Sequence, residues 1–396
     1  MVFSVTKFMD AQYSDENGFN CSNTTKSSPN KAENTARKKD RRIAFMHPVT
    51  GKILLLKWPL PKTHTYCALE EMLATYRLLS SYISEMFDVL ERIPTAKRLP
   101  WLLKYRDVKK IAKSFNKAVQ RLRRSAGSRV ATFLPPESKE VFLRHMLQQV
   151  YNYSVTQPMK LNLYTAFTPS VYGEVSYDCV SIILKQIPLG PNDYFLDLGS
   201  GVGNVVLQVA ATSLCGMSVG IERAKWPIKY ARRMYKHFER WSSWYGHTHR
   251  PFKLLEGDFL DVKFREHFCK ATVIFVNNYA FGPELDHQLK IIFSDLKDGT
   301  KIISSKPFEL GNGGRLTIRN ICDPGACLSV RKLFTMSRCV SWTSAKISFY
   351  LHTVDHSRIE QFIRSTEKPS TSRISNKIIP QSIVATKTNK KRNIVS

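Results

Sequence analysis

The sequence predicts an α/β protein, a mostly parallel sheet covered by helices on both faces, entered through a mainly helical N-terminal region and flanked by basic arms. Three observations lead there. Short apolar runs, YFLDLG, SVGIE, FKLLEGD, TVIFVNN and TKIISSK, alternate with helical stretches, as crossover-connected parallel strands do. The first run leads into a turn with glycine at every second position, Gly199-Ser200-Gly201-Val202-Gly203-Asn204. Acids stand at three successive run ends, Asp197, Glu222 and Asp258, where ligands of such sheets bind.

Taken in order, residues 1–42 are rich in Ser, Asn, Thr and Lys and end in ARKKDRR, the composition of a disordered basic arm. Residues 43–150 form an N-terminal subdomain. Two strands flank the turn Pro48-Val49-Thr50-Gly51, and helical periodicity follows in ALEEMLATYRLLSSYISEMFDVLERI and again from about Leu102 to Arg124. The second of these helices carries Lys104, Arg106, Lys109, Lys110, Lys113, Lys117, Arg121, Arg123 and Arg124 against the single acid Asp107. Such one-sidedness suits either a solvated face or a polyanion contact. Residues 151–365 contain the alternating strands and helices, and 366–396 read as a second disordered basic arm.

The formal charge of +28 would hold the protein on a polyanion through counterion release. Nucleic acid, or a particle wrapped in it, is the leading partner with an anionic membrane second, and no membrane partner is expected of the protein as a whole. Apolar residues make up 43% of the chain, enough for a real core, yet no run approaches the roughly 18 residues of a membrane span, and the N-terminus does not read as a secretory signal. The chain is expected inside the cell. The eight cysteines form no C-x-x-C pair, and no metal site is expected.

The glycine turn lacks the lysine of a P-loop and departs from the spacing of a dinucleotide fingerprint. Asp197, two residues before Gly199, would repel a pyrophosphate and suits a cationic amino-acid head. Glu222 can accept both hydroxyls of a ribose, a feature NAD and S-adenosylmethionine share. Asp258 can accept from an adenine amino group with Phe259 beside the base. Ammonium, ribose and adenine in a row describe S-adenosylmethionine. Each acid alone is also an ordinary turn or helix-start residue. The fourth run ends in Asn277-Asn278-Tyr279-Ala280-Phe281, where amides can position an amine without adding charge. Tyr279, Phe281, Trp342, Phe349 and Tyr350 are candidate aromatic walls around a lysine and a sulfonium, with core packing as the alternative fate of each.

The segments QQVYNYSVTQPMKLNLYTAFTPSVYGEVSYD, DLGSGVGNVVLQVA, VNNYAFGPELDHQLK, ISSKPF and CVSWTSAKISFYLHT resemble the disruptor-of-telomeric-silencing (DOT) family of histone methyltransferases, from about Lys57 to His356. The resemblance implies a seven-stranded Rossmann-like class I methyltransferase fold, S-adenosylmethionine as cofactor, and a lysine on the globular core of histone H3, in intact nucleosomes, as substrate. It implies that Tyr172 and Glu174 lid the cofactor. Asp197 and Gly199 would hold its amino-acid end, Glu222 its ribose, and Asp258 and Phe259 its adenine, with Gly201, Gly203, Asn204 and Asn277 as further cofactor contacts. Asn277, Tyr279, Phe281, Phe349 and Tyr350 would line the reaction centre. It further implies a nuclear monomer that grips nucleosomal DNA through a basic segment, with ubiquitylated nucleosomes and recruiting proteins as further partners. The chain departs from the family at Asn204 in place of glutamine, Tyr279 in place of phenylalanine, Phe349 in place of tyrosine, and the glycine-rich ELGNGGRL. The rival expectation is a chromatin-binding paralogue with the fold and little catalysis.

Overall fold

In the computed structural model, residues 41–62, 66–83, 86, 103–127, 134–135, 138–163, 172–308, 310 and 314–367 are described. The two expected basic arms lie outside them, apart from Arg41, Arg42, Thr366 and Glu367.

Strands β1 (Arg42–Met46) and β2 (Ile53–Lys57) pair antiparallel around the expected turn. Helix α1 spans Ala68–Tyr82. The helical pattern read from the sequence runs to Ile93; the helix ends at Tyr82 with Ile83 extended, and residues 84–85 and 87–93 of the pattern lie outside the described residues. The buried Ser80 hydroxyl, which donates to Tyr76 O and reaches Met86 O at 3.3 Å, holds the chain in its new direction. Helix α2 (Tyr105–Ala126) buries Val108, Ile111, Ala112, Phe115, Val119 and Leu122. It is fixed to the hairpin by Asn116, whose Oδ1 accepts from Met46 N and whose Nδ2 donates to Ala44 O, each at 2.9 Å. Helix α3 (Ser138–Ser154) completes this region and runs across residue 150.

After α4 (Tyr177–Gln186), the five runs read from the sequence become β3 (Tyr194–Leu198), β4 (Met217–Glu222), β5 (Phe252–Glu256), β6 (Val273–Val276) and β7 (Lys301–Ser304). Between them lie α5 (Asn204–Thr212), α6 (Lys225–Tyr245), α7 (Arg265–Lys270) and α8 (Pro283–Ser294). β8 (Leu328–Lys332), β9 (Tyr350–Val354) and α9 (Ser357–Glu367) follow. The sheet order is β5-β4-β3-β6-β7-β9-β8, with the first five strands parallel and β9 antiparallel to both its neighbours. The sheet is therefore the expected seven-stranded Rossmann-like one. Its order reverses between β3 and β6, and a ligand crevice forms at the carboxyl ends beside that reversal.

Alternation along the central strands divides the core. Phe195, Val273, Phe275 and Ile303 pack toward α4, whereas Leu196, Leu198, Ile274, Val276 and Ile302 pack toward α7 and α8. A third cluster unites the hairpin, α1, α2 and α3 with Val206 and Leu207 of α5 and Phe238, Trp241 and Trp244 of α6. Trp244 Nε1 donates to Phe45 O at 3.1 Å, joining the far end of α6 to the hairpin.

Candidate functional site

Beyond Leu198 the chain turns through Gly199 (φ 76°) and Gly201 (φ 58°), left-handed conformations that glycine adopts without strain. Gly199 and Ser200 donate their N–H groups to Ile221 O, locking the turn onto β4. A Cβ on Gly201 would stand 2.9 Å from the Tyr172 ring, whereas one on Gly199 would enter open space. The turn is therefore bare on one side and covered by the Tyr172 ring on the other.

Two buried acids face this cradle. Asp197 is 3% exposed, and no described residue donates a hydrogen bond to its carboxylate. Burial first, and the nearby Glu222 carboxylate second, hold it well above the usual carboxylate range. Glu222, 8% exposed, accepts from Gly201 N at 2.8 Å through Oε2 and from Ala224 N at 2.6 Å through Oε1. Burial raises its pKa, and these backbone N–H groups act against that rise.

Over the turn lies the segment Tyr172-Gly173-Glu174. Tyr172 donates its hydroxyl to Glu174 Oε1 at 2.5 Å. Burial pushes the Glu174 carboxyl up despite that bond. Ser341 braces the segment, donating its N–H to Glu174 O at 2.9 Å and accepting from Glu174 N at 3.0 Å through Oγ. The Trp342 ring lies against Gly173, where a Cβ would approach it to 2.4 Å.

At the end of β5, Asp258 pairs through Oδ2 with Arg223 at 2.8 Å and accepts from Leu260 N through Oδ1. Phe259 stacks with Phe281, ring centroids 6.3 Å apart. At the end of β6 the two amides divide their roles. Asn277 accepts from Ser305 Oγ at 2.8 Å, which turns its NH2 toward Gly173 O at 3.4 Å and the cavity. Asn278 is fully buried and binds the Lys306 backbone and Asp286, holding the loop in place.

These elements enclose one cavity, whose walls include Tyr172, Glu174, Asp197, Gly199, Gly201, Asn204, Glu222, Asp258, Phe259, Asn277 and Phe281. Gly203 starts α5 behind the turn and faces Leu254. Tyr279 is 48% exposed, outside the cavity wall, with its ring 5.6 Å from Trp342. Phe349 is fully buried, stacked 6.0 Å from Phe275, and neither it nor Tyr350 reaches the wall. The absent hydroxyl at Phe349 is thus a feature of the core beneath the cavity. Sequence reading missed Leu161, Leu163, Lys225, Trp226, Pro227, Phe275 and Leu285, which also line it. A local signal existed for one group: Lys225-Trp226-Pro227 opens α6 directly after the acid-bearing end of β4.

A parallel sheet with reversed order, an inserted antiparallel β9, and a glycine cradle flanked by acids at the ends of β3, β4 and β5 together define the class I methyltransferase fold. A family model described as "Histone methylation protein DOT1" matches residues 151–354, and the chain belongs to that family. It is 42% identical over 265 residues to a Drosophila melanogaster protein named "Histone-lysine N-methyltransferase, H3 lysine-79 specific", covering 66% of this chain and 14% of that one. Proteins of the same name from Caenorhabditis elegans and Emericella nidulans are 38% and 34% identical, over 54% and 66% of this chain and 23% and 52% of theirs. The chain thus spans about half or less of the length of these relatives.

Proposed function

We propose that this protein is an S-adenosylmethionine-dependent protein-lysine N-methyltransferase acting in the nucleus, as a monomer, on a lysine in the globular core of histone H3 within nucleosomes. The observation that carries the reading is the buried Asp197, an acid to which no described residue donates, at the edge of a glycine cradle. A cation with a slim amino-acid end fits that setting, and the names of the relatives, H3 lysine-79 specific enzymes, supply the substrate class.

The cofactor, when bound, supplies an electrophilic methyl group on a sulfonium. Asp197 would hold the α-ammonium in a site where burial strengthens the attraction. Glu222, its position fixed by the Gly201 and Ala224 N–H groups, would accept the ribose hydroxyls. Phe259, Phe281 and the Asp258–Arg223 pair would hold the base. Tyr172 closes over the cradle. The Asn277 amide, oriented by Ser305, offers a neutral donor at the reaction centre and adds no charge to the incoming amine. The lysine must attack as a free amine, and leaving water for an aromatic-lined mouth lowers its pKa from about 10.4. The chain's contribution is alignment and desolvation more than proton transfer.

The test is transfer of labelled methyl from S-adenosylmethionine to reconstituted nucleosomes, free histones, naked DNA and RNA, with Asp197→Ala and Asn277→Ala alongside. Label on H3 that depends on the nucleosome and disappears in both variants is the expected result. Label on nucleic acid, or no label despite cofactor and nucleosome binding, would overturn it, the latter in favour of a non-catalytic chromatin-binding protein.

A further inference from the structure

Helix α2 presents a cationic stripe that the cavity does not use. At 100° per residue, Arg106, Lys109, Lys110, Lys113, Lys117, Arg121 and Arg124 fall within a sector of about 120°, opposite the buried face led by Val108, Ile111 and Phe115. All seven are exposed, and none forms an ion pair with a described residue. The one acid of the helix, Asp107, is engaged at its start, accepting from Lys104 N at 3.2 Å. Arg123 turns away from the stripe and donates to Pro48 O and Val49 O, which with Asn116 fixes the helix's rotation on the hairpin.

The stripe is costly for the helix itself. Arg106/Lys110, Lys109/Lys113, Lys113/Lys117 and Lys117/Arg121 are like charges at i,i+4, each destabilising by roughly 0.2–0.5 kcal/mol. No described side chain offsets that repulsion. None of the seven stripe residues lines the cavity.

We propose that this face of α2 is a docking surface for the phosphate backbone of duplex DNA, in addition to any contact made by the basic arms. From Arg106 to Arg124 it runs about 27 Å, roughly three-quarters of a duplex turn. Lysine and arginine presented without base-reading geometry suit phosphate contacts, which give affinity without sequence choice. The proposal rests on the nucleosomal substrate proposed above and adds where the particle's DNA is held.

The test compares Lys113→Gln/Lys117→Gln with Lys185→Gln/Lys297→Gln, a control that removes the same net charge from other exposed positions. Glutamine keeps helix propensity, so folding is retained. Dissociation constants are measured across a salt series for nucleosomes and for naked duplex of equal length. The α2 pair should weaken both by roughly tenfold near physiological salt and reduce the slope of log K against log salt by about 1.8, while the control changes little. Equal effects of the two pairs would reduce the stripe to net charge and overturn the proposal. A loss on nucleosomes but not on naked duplex would move the contact to an acidic protein surface and overturn it as well. Methyl transfer by the unsubstituted protein, read in the same samples, reports separately on the proposed activity.

Discussion

Asp197 shows most sharply how a residue can oppose the empty fold and serve the loaded one. Its folded pKa is raised, so its favourable contribution is present below the unfolded carboxylate value of about 3.9 and is lost as pH rises through the folded value. Asp197→Asn escapes that loss. The ligand-free variant should melt a few degrees higher than the parent at pH 8, with the difference shrinking toward pH 4, while its affinity for S-adenosylmethionine falls at least a hundredfold. Thermal melts across pH and a binding titration check both halves; an unchanged affinity would remove Asp197 from the ammonium role. This residue was legible in the sequence, as were Glu222 and the glycines, because a strand end and the turn after it fix their surroundings locally. The partner of Asp258 was not, since Arg223 reaches it only once β4 and β5 lie side by side. Phe349 was read as a wall because it is aromatic and lies in a late strand. Which side of the sheet receives such a ring depends on strand register, and here Phe275 receives it.

Among the elements, α2 depends on a single amide for its seat. Asn116→Ala leaves Met46 N–H and Ala44 C=O without their partner at the junction of helix and hairpin. The expected loss is about 2 kcal/mol, read as a lower urea midpoint with little change in methyl transfer at saturating substrate. A variant as stable as the parent would mean that water replaces the amide at no cost. The hairpin, the helices and the five parallel strands were readable from periodicity and turn chemistry. The break at Ile83 was not, because apolar periodicity runs through it while the Ser80 hydroxyl reaches Met86 O. A hydroxyl's choice of carbonyl leaves no trace in a hydrophobic pattern.

For the whole molecule, the boundary read near residue 150 divides segments that share a core. It falls within α3, and Phe238, Trp241 and Trp244 of α6 pack in one cluster with Phe45, Tyr76 and Phe115. Removing residues 1–137 should strip one face of α6 and abolish the cooperative thermal transition followed by circular dichroism. A sharp melt of the shortened chain would show that the sheet stands alone. Composition gave the charge of the chain but not its placement. The sequence placed these cations on one helix, and the buried face of α2 shows that seven of them share one solvent-facing stripe.

That stripe makes ionic strength act in two opposing ways. Dilute salt leaves the cations of α2 unscreened, so the isolated protein is under its greatest internal repulsion in the conditions that most favour its hold on a polyanion. Concentrated salt relaxes the helix and loosens the hold. A bound duplex would therefore act as a structural counterion, firming the N-terminal helices at the moment of engagement.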